Sequence, residues 1–235
     1  MRNILRKFGF DVVRYPYFDA HTEQKNYQRL LDHNNIDLIF DVGANIGQYA
    51  QEVFDFGYKG KIVSFEPMSK EHEIVSEKSQ SNNNWEVAPL MAIGEKDGFV
   101  QFNVSENSVS SSILEANDYV LDFDPEIKYI KTESVTLRSI NSLYAEYSSG
   151  FNNIFLKLDV QGYEASVLEG AAEVLQNFKG IHLEFSLNPL YHGEKGLFEM
   201  LKLVEPYGFK PHYFMPHPSV DKIGRLMQID GVFYK

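Results

Sequence analysis

The sequence predicts a doubly wound α/β fold: a mostly parallel sheet with helices on both faces and an antiparallel edge at its C-terminal end. Three observations predict it. The run Leu38 to Val42 is apolar apart from Asp41 and passes through Gly43-Ala44-Asn45-Ile46-Gly47 into a helix carrying Tyr49 and Val53. The same order of apolar run, acid, glycine turn and helix returns from Asn153 to Glu164. Such units are the pattern of parallel strands joined by crossover helices. The last two apolar runs, Phe209 to Met215 and Leu226 to Tyr234, have no helix between them, which predicts an antiparallel pair.

Taken in order, residues 1 to about 20 form a basic arm ending in Tyr15-Pro16-Tyr17-Phe18, a predicted loop. Tyr27, Leu30 and Leu31 have helical spacing, with Asp19 or Thr22 as the N-cap, so a helix over 22–34 is expected to cover the sheet or a ligand cleft. Lys61 to Glu66 is a second strand stopped by Pro67, followed by a helix over Lys70 to Lys78. Trp85 to Met91 predicts a third strand and Lys96-Asp97-Gly98 a hairpin. Ser105 to Ile113 is rich in hydroxyls and poor in apolar periodicity, which predicts a mobile loop and a possible lid. Another loop starts at Asp122-Phe-Asp-Pro125. Lys128 to Leu137 predicts a strand, Ser139 to Tyr147 a short helix, Glu164 to Asn177 a helix, Ile181 to Ser186 a strand and Gly193 to Glu205 the last helix. The expected organisation is an arm and helix over 1–36 and one domain over 37–235.

Composition narrows the function. Of 235 residues 43% are hydrophobic and 14% aromatic, enough for a packed core. The net charge of −11 repels polyanions, so no nucleic-acid partner is expected. Arg2, Arg6, Lys7 and Arg14 interleave with apolar residues, a pattern that suits contact with an anionic membrane surface or simply a packing arm with solvated charges. No apolar run reaches a membrane span and no secretory h-region opens the chain, so a cytoplasmic location is expected. The absence of cysteine excludes disulfides, thiolate catalysis and cysteine-bound metals.

The glycine turn after Val42 brings backbone N–H groups close to a ligand. A dinucleotide fold would place a second glycine where Asn45 stands. Asp41 repels phosphate and favours an ammonium or sulfonium, which points to S-adenosylmethionine rather than a nicotinamide cofactor. Glu66 ends the second strand 19 positions after Gly47, the distance at which an acid hydrogen-bonds ribose hydroxyls. Alternation puts Lys157 with Asp159, and His182 with Glu184, on one face of their strands near the carboxyl ends.

Asp41-Val-Gly-Ala-Asn-Ile-Gly47, Phe65-Glu66-Pro67, Ala92-Ile93-Gly94, serines 108 to 112, Lys157-Leu-Asp-Val-Gln-Gly-Tyr-Glu164, His182-Leu-Glu184 and Asp230-Gly-Val-Phe together resemble the FkbM-type methyltransferases. These belong to the S-adenosylmethionine-dependent enzymes with a seven-stranded, Rossmann-like sheet. The resemblance implies that Asp41, Gly43, Ala44, Asn45 and Gly47 hold the methionine portion of the donor. It implies Glu66 on the ribose, Pro67 and Ala92 beside the adenine, and Asp159 in the methyl-donor pocket. It further implies O-methyl transfer to a sugar, glycan building block or other small molecule. Gln161 departs from the family, which usually has glutamate there, and Arg138 stands where an aspartate is more usual.

An alcohol needs a base, and His182 is the residue type matched to neutral pH, with Glu184 or Asp159 as orienting or base carboxylates. Against this, His182 is also readable as a satisfied buried sheet histidine, and Lys157 with Glu184 as a structural ion pair. His192 is a second base candidate. No resident metal is expected, although Asp159 and Glu184 are the carboxylates that could share a divalent ion. Asn188-Pro-Leu-Tyr191 resembles a motif of nucleic-acid amine methylation but follows the wrong strand. A nicotinamide oxidoreductase and a non-catalytic binding protein of the same fold remain the alternatives.

Overall fold

The computed structural model describes residues 23–118, 127–217, 220–221 and 223–235. The basic arm, its proposed caps and the loop at Asp122 to Pro125 lie outside these residues. Helices α1 (Glu23–His33), α2 (Gln48–Asp55), α3 (Ser69–Ser79), α4 (Ile140–Ser148), α5 (Glu164–Glu169) and α6 (Leu197–Val204) are interleaved with ten strands. These are β1 (Leu38–Val42), β2 (Lys61–Phe65), β3 (Trp85–Val87), β4 (Ala92–Ile93), β5 (Gly98–Ser105), β6 (Tyr129–Arg138), β7 (Ile154–Leu158), β8 (Phe178–Ser186), β9 (Lys210–Pro216) and β10 (Gln228–Tyr234).

Seven strands form the main sheet in the order β3-β2-β1-β7-β8-β10-β9. All neighbours pair in parallel except β10, which runs antiparallel to both β8 and β9. The fold is therefore the doubly wound sheet that the apolar runs predict. β1 and β7 are buried along their whole length because both of their faces are covered, and this is why they read as continuous apolar runs. Leu38, Phe40 and Val42 face a core built with α4, α5 and α6. Ile39 and Phe155 face the opposite core, which includes Tyr27 and Leu31 of α1, Ala50 and Val53 of α2 and Val75 of α3. The ionisable residues Asp41, Lys157, His182 and Asp230 share the register of this second face. No helix among the described residues is long and apolar enough to cross a membrane.

The structure corrects five expectations. A second, three-stranded sheet, β4-β6-β5, stands beside the first, so one sheet does not account for the whole chain. Lys96-Asp97-Gly98 is not a β4–β5 hairpin, because both strands flank β6: Leu137 pairs with Ala92 on one side and Gly98 on the other. Asp97 instead turns to the start of α4, accepting bonds from the Ser139 N–H at 2.8 Å and Arg138 Nε at 3.0 Å. That contact is what Arg138 does in this chain.

The third strand stops at Val87, since Ala88 makes a last bond to the Ser64 carbonyl and Pro89 has no N–H to continue. Helix α5 ends at Glu169 rather than near Asn177. Gly170 presses against the Gly94 carbonyl, and its own carbonyl is taken by the Asn141 N–H at 2.8 Å.

Ser105 to Ile113 is tied into the fold. Asn103 and Ser112 exchange backbone bonds at 2.9 and 3.1 Å, Ser111 Oγ accepts from the Ser105 N–H, and Ser105, Ser110, Ser111 and Ser112 are buried. Its hydroxyls satisfy internal backbone groups, an outcome that composition cannot distinguish from a solvated loop.

Candidate active site

The carboxyl ends of β1, β2, β7 and β8 converge with the glycine turns and the end of β9. A first cavity of about 410 Å³ is walled by Gly43, Asn45, Glu66, Pro67, Ala92 and Asp159, and extends to Ser108–Ser111, Gln161, Glu184 and His217. A second cavity of about 470 Å³ lies under α1, bordered by Tyr27, Gln28, Tyr49, Lys157, His182 and Asp230. Gln48, Asp159 and His217 belong to both walls.

The turn that opens the first cavity has little conformational choice. Gly43 has φ 78°, and a Cβ there would collide with the backbone carbonyl of Asp159. Gly47 has φ 80° and would place a Cβ 2.7 Å from the Trp85 ring. Asn45 also takes a left-handed φ of 48°, which turns its N–H onto Glu66 Oε2 at 2.7 Å. Glu66 Oε1 accepts the Met68 N–H at 2.9 Å. Burial pushes the Glu66 carboxyl up to about 7 in spite of these two backbone bonds.

Not every expected ligand residue reaches a cavity. Asp41 within β1, and Ala44 and Gly47 within the turn, are outside the first cavity's wall. The Asp41 carboxylate is fully buried, 3.0 Å from Lys157 Nζ and bonded to Ser64 Oγ at 2.9 Å. Its partner explains the geometry: Lys157 sits directly opposite Asp41 in the β1–β7 ladder. Lys157 therefore pairs with Asp41, not with Glu184, and lies 3.6 Å from Asp159. Burial opposes its charge, but the Asp41 and Asp159 carboxylates overcome this and hold the ammonium above its ordinary value.

Of the expected catalytic residues, Asp159 borders both cavities, Glu184 the first and His182 the second. His182 is buried against the rings of Tyr27 and Tyr49, with Nδ1 3.3 Å from Tyr27 Oη and Nε2 3.4 Å from Asp230 Oδ1. His192 is exposed, lies on neither wall, and donates its N–H to the Glu115 carbonyl. Gln161, the departure from the family pattern, uses its amide to donate to Asp159 Oδ1 at 2.8 Å and Glu184 Oε2 at 2.9 Å. An ionised glutamate has no N–H or O–H for either bond. Tyr191, from the Asn-Pro-Leu-Tyr run, supports that turn by donating from Oη to Gln161 Oε1.

Sequence reasoning missed His217 and gave Asp230 no role. His217 Nε2 lies 2.9 Å from Asp230 Oδ2 and 3.7 Å from Glu184 Oε1, and Asp230 lies opposite Glu184 in the β8–β10 ladder. The hydrogen bond to Asp230 raises the His217 imidazole above its usual value. Burial opposes ionisation of Asp230, but His182 and His217 override it and hold that carboxyl well below the usual range. Burial, then the carboxylates of Asp159, Glu164 and Asp230, push Glu184 well up. The available signal was register: in the antiparallel β8–β10 pairing the single acid of β10, Asp230, falls opposite Glu184.

Comparison with known proteins gives the fold and the family. The chain is 25% identical over 178 residues to the 2-O-methyltransferase NoeI of Sinorhizobium fredii (strain NBRC 101917 / NGR234), covering 72% of each chain. Its fold matches the methyltransferase FkbM of Methylobacillus flagellatus KT with TM-score 0.52 and 16% identity, over 85% of this chain and 44% of that one, so this chain spans less than half of that structure. It matches the O-methyltransferase of Bacillus cereus, solved in complex with SAH, with TM-score 0.51 and 13% identity over 99% and 88% of the two chains. The methyltransferase FkbM domain model matches residues 41–211, most of the length described above, and the chain belongs to that family of methyltransferases.

Proposed function

We propose that the protein transfers a methyl group from S-adenosylmethionine to a hydroxyl of a sugar or glycan building block, with the donor in the first cavity and the acceptor in the second. The observation that carries this reading is the charge of the first wall. Glu66, Asp159 and Glu184 line it against one basic side chain, His217, and no lysine or arginine is among its described lining residues. Such a wall suits a cationic ligand and opposes the pyrophosphate of a nicotinamide cofactor. Both cavities fall in the range of about 300–1,000 Å³ usual for small-molecule sites.

The donor, when bound, supplies a sulfonium methyl, whose C–S bond breaks as the acceptor oxygen forms the new C–O bond, leaving S-adenosylhomocysteine. The chain's part is alignment and proton removal. Glu66 keeps lone pairs for ribose hydroxyls beyond those used by Asn45 and Met68. Asp159 faces both cavities and takes the acceptor's proton, while Lys157 and Gln161 fix its position. His182 holds Asp230 and Tyr27 in place. In the second cavity the faces of Tyr27 and Tyr49 and the amides of Gln28 and Gln48 suit a ring bearing hydroxyls. Gln28 Oε1 is buried there with no hydrogen-bond partner among the described residues, an acceptor free to take a hydroxyl proton.

The test is transfer from methyl-labelled donor to sugars, nucleotide-sugars and lipid-linked glycans. A labelled methyl ether on one of these classes is expected. Donor binding without transfer to any of them would instead favour the non-catalytic alternative.

A further inference from the structure

We propose that Glu184, His217 and Asp230 bind a divalent cation at the wall between the two cavities. The donor atoms, one imidazole nitrogen and two carboxylate oxygens, all lie within 4.8 Å of one another. His217 Nε2 stands 2.9 Å from Asp230 Oδ2 and 3.7 Å from Glu184 Oε1. Ligands about 2.0–2.2 Å from a first-row cation are separated by about 3–3.6 Å at tetrahedral or octahedral angles, and both His217 separations are already close to that spacing.

Two observations place these carboxylates where a cation would be held. Glu184 and Asp230 are direct cross-strand partners, and like charges in that position repel unless something stands between them. Glu184 is also more than nine-tenths buried: Oε2 accepts the Gln161 amide, while Oε1 faces His217 beyond hydrogen-bond reach. The nearby ammonium of Lys157 is already committed to Asp41 and Asp159. His217 is shared between the two carboxylates, and His182 reaches only Asp230.

The surroundings resemble a working metal site. Gln161 orients Glu184, and His182 Nε2 lies 3.4 Å from Asp230 Oδ1, the kind of outer contact that fixes ligands. Three protein ligands leave positions open, as in catalytic rather than structural sites. Those positions face the cavities, since Glu184 lines the first, Asp230 the second and His217 both. Two carboxylates with one imidazole admit Mn²⁺, Mg²⁺ or Zn²⁺. The expectation of no resident metal considered Asp159 with Glu184; the geometry replaces Asp159 with His217 and Asp230. Its role rests on the methyl-transfer reading: the cation would hold the acceptor hydroxyl and lower its pKa, so that Asp159 suffices as the base.

The binding itself is tested without turnover. Chelator-treated full-length protein is titrated with Mn²⁺ by calorimetry and electron paramagnetic resonance, with Mg²⁺ and Zn²⁺ as competitors. One Mn²⁺ per chain is expected, weakened at least tenfold in E184Q, D230N and H217A. His217 is partly exposed at the end of β9, so H217A keeps the test decisive if a carboxylate variant fails to fold. No stoichiometric binding of any of the three ions, or equal affinity in H217A and wild type, overturns the proposal. Donor binding measured separately on the metal-free protein tells failure of this site from failure of the methyl-transfer reading.

Discussion

Two turns of this molecule share one sequence grammar and end in different chemistry. Asp41 and Asp159 each close an apolar strand, and each is followed by a glycine turn containing one non-glycine residue with left-handed φ, Asn45 at 48° and Gln161 at 52°. Yet Asp41 is wholly buried, whereas the Asp159 side chain is 43% exposed and borders both cavities. The difference is two residues of register. Asp41 lies inside β1, opposite Lys157, and Asp159 lies one residue beyond the end of β7. An acid within a central strand must find a buried counter-charge, and an acid past its end can reach a ligand. We conclude that the first acid serves the fold and propose that the second serves the reaction.

That contrast can be broken experimentally. Asp41→Ala should be the most damaging change, costing about 3–5 kcal/mol because it strands a buried ammonium. Denaturant unfolding measures it, and the double replacement Asp41→Leu with Lys157→Met should recover much of the loss. A cost below about 1 kcal/mol would put Asp41 in the same class as Asp159. Asp159→Asn should leave the unfolding midpoint nearly unchanged and lower kcat roughly 100-fold or more, as loss of a general base does. A stability loss matching that of Asp41→Ala would erase the distinction.

Glu66 sharpens the picture through pH. Its folded carboxyl is raised from 4.5 to about 7, so the donor-free protein binds a proton there more tightly than the unfolded chain does. The stability from that proton is complete below about pH 4.5 and is lost as pH rises to about 7, by roughly 2–3 kcal/mol. Glu164, raised by burial to about 8, adds a slope of the same sign, so the comparison is wild type against Glu66→Gln, which should lose only the part due to Glu66. Identical pH profiles would contradict this. The smallest effect should come from Gln161→Glu, which removes two donors between carboxylates and adds a charge. In metal-free protein it should cost about 1–2 kcal/mol by thermal unfolding, and no change would mean that the amide bridge is incidental.

Much of this was legible in the chain. Strands buried on both faces leave mostly apolar runs, so β1, β2, β7 and β8 and the turns after β1 and β7 could be placed, as could the antiparallel end. Val100, Phe102 and Val104 carry the alternation of β5, but they follow a turn signal that suggested a local hairpin. The buried serines were illegible because a hydroxyl that caps a backbone group has the same composition as one in water. The mistaken Lys157–Glu184 pair came from using strand faces without strand order; adjacency of β1 and β7 assigns Lys157 to Asp41. His217 and Asp230 join the site from two C-terminal strands, where no local motif announces them.

Titration calorimetry with S-adenosylmethionine, S-adenosylhomocysteine and NAD on the wild-type protein and Asp159→Asn separates donor binding from catalysis. One site per chain is expected for the first two ligands, none for NAD, and a folded Asp159→Asn protein that still binds S-adenosylhomocysteine but no longer methylates. Binding of NAD without S-adenosylmethionine, or an Asp159→Asn protein that methylates at the wild-type rate, would contradict this reading.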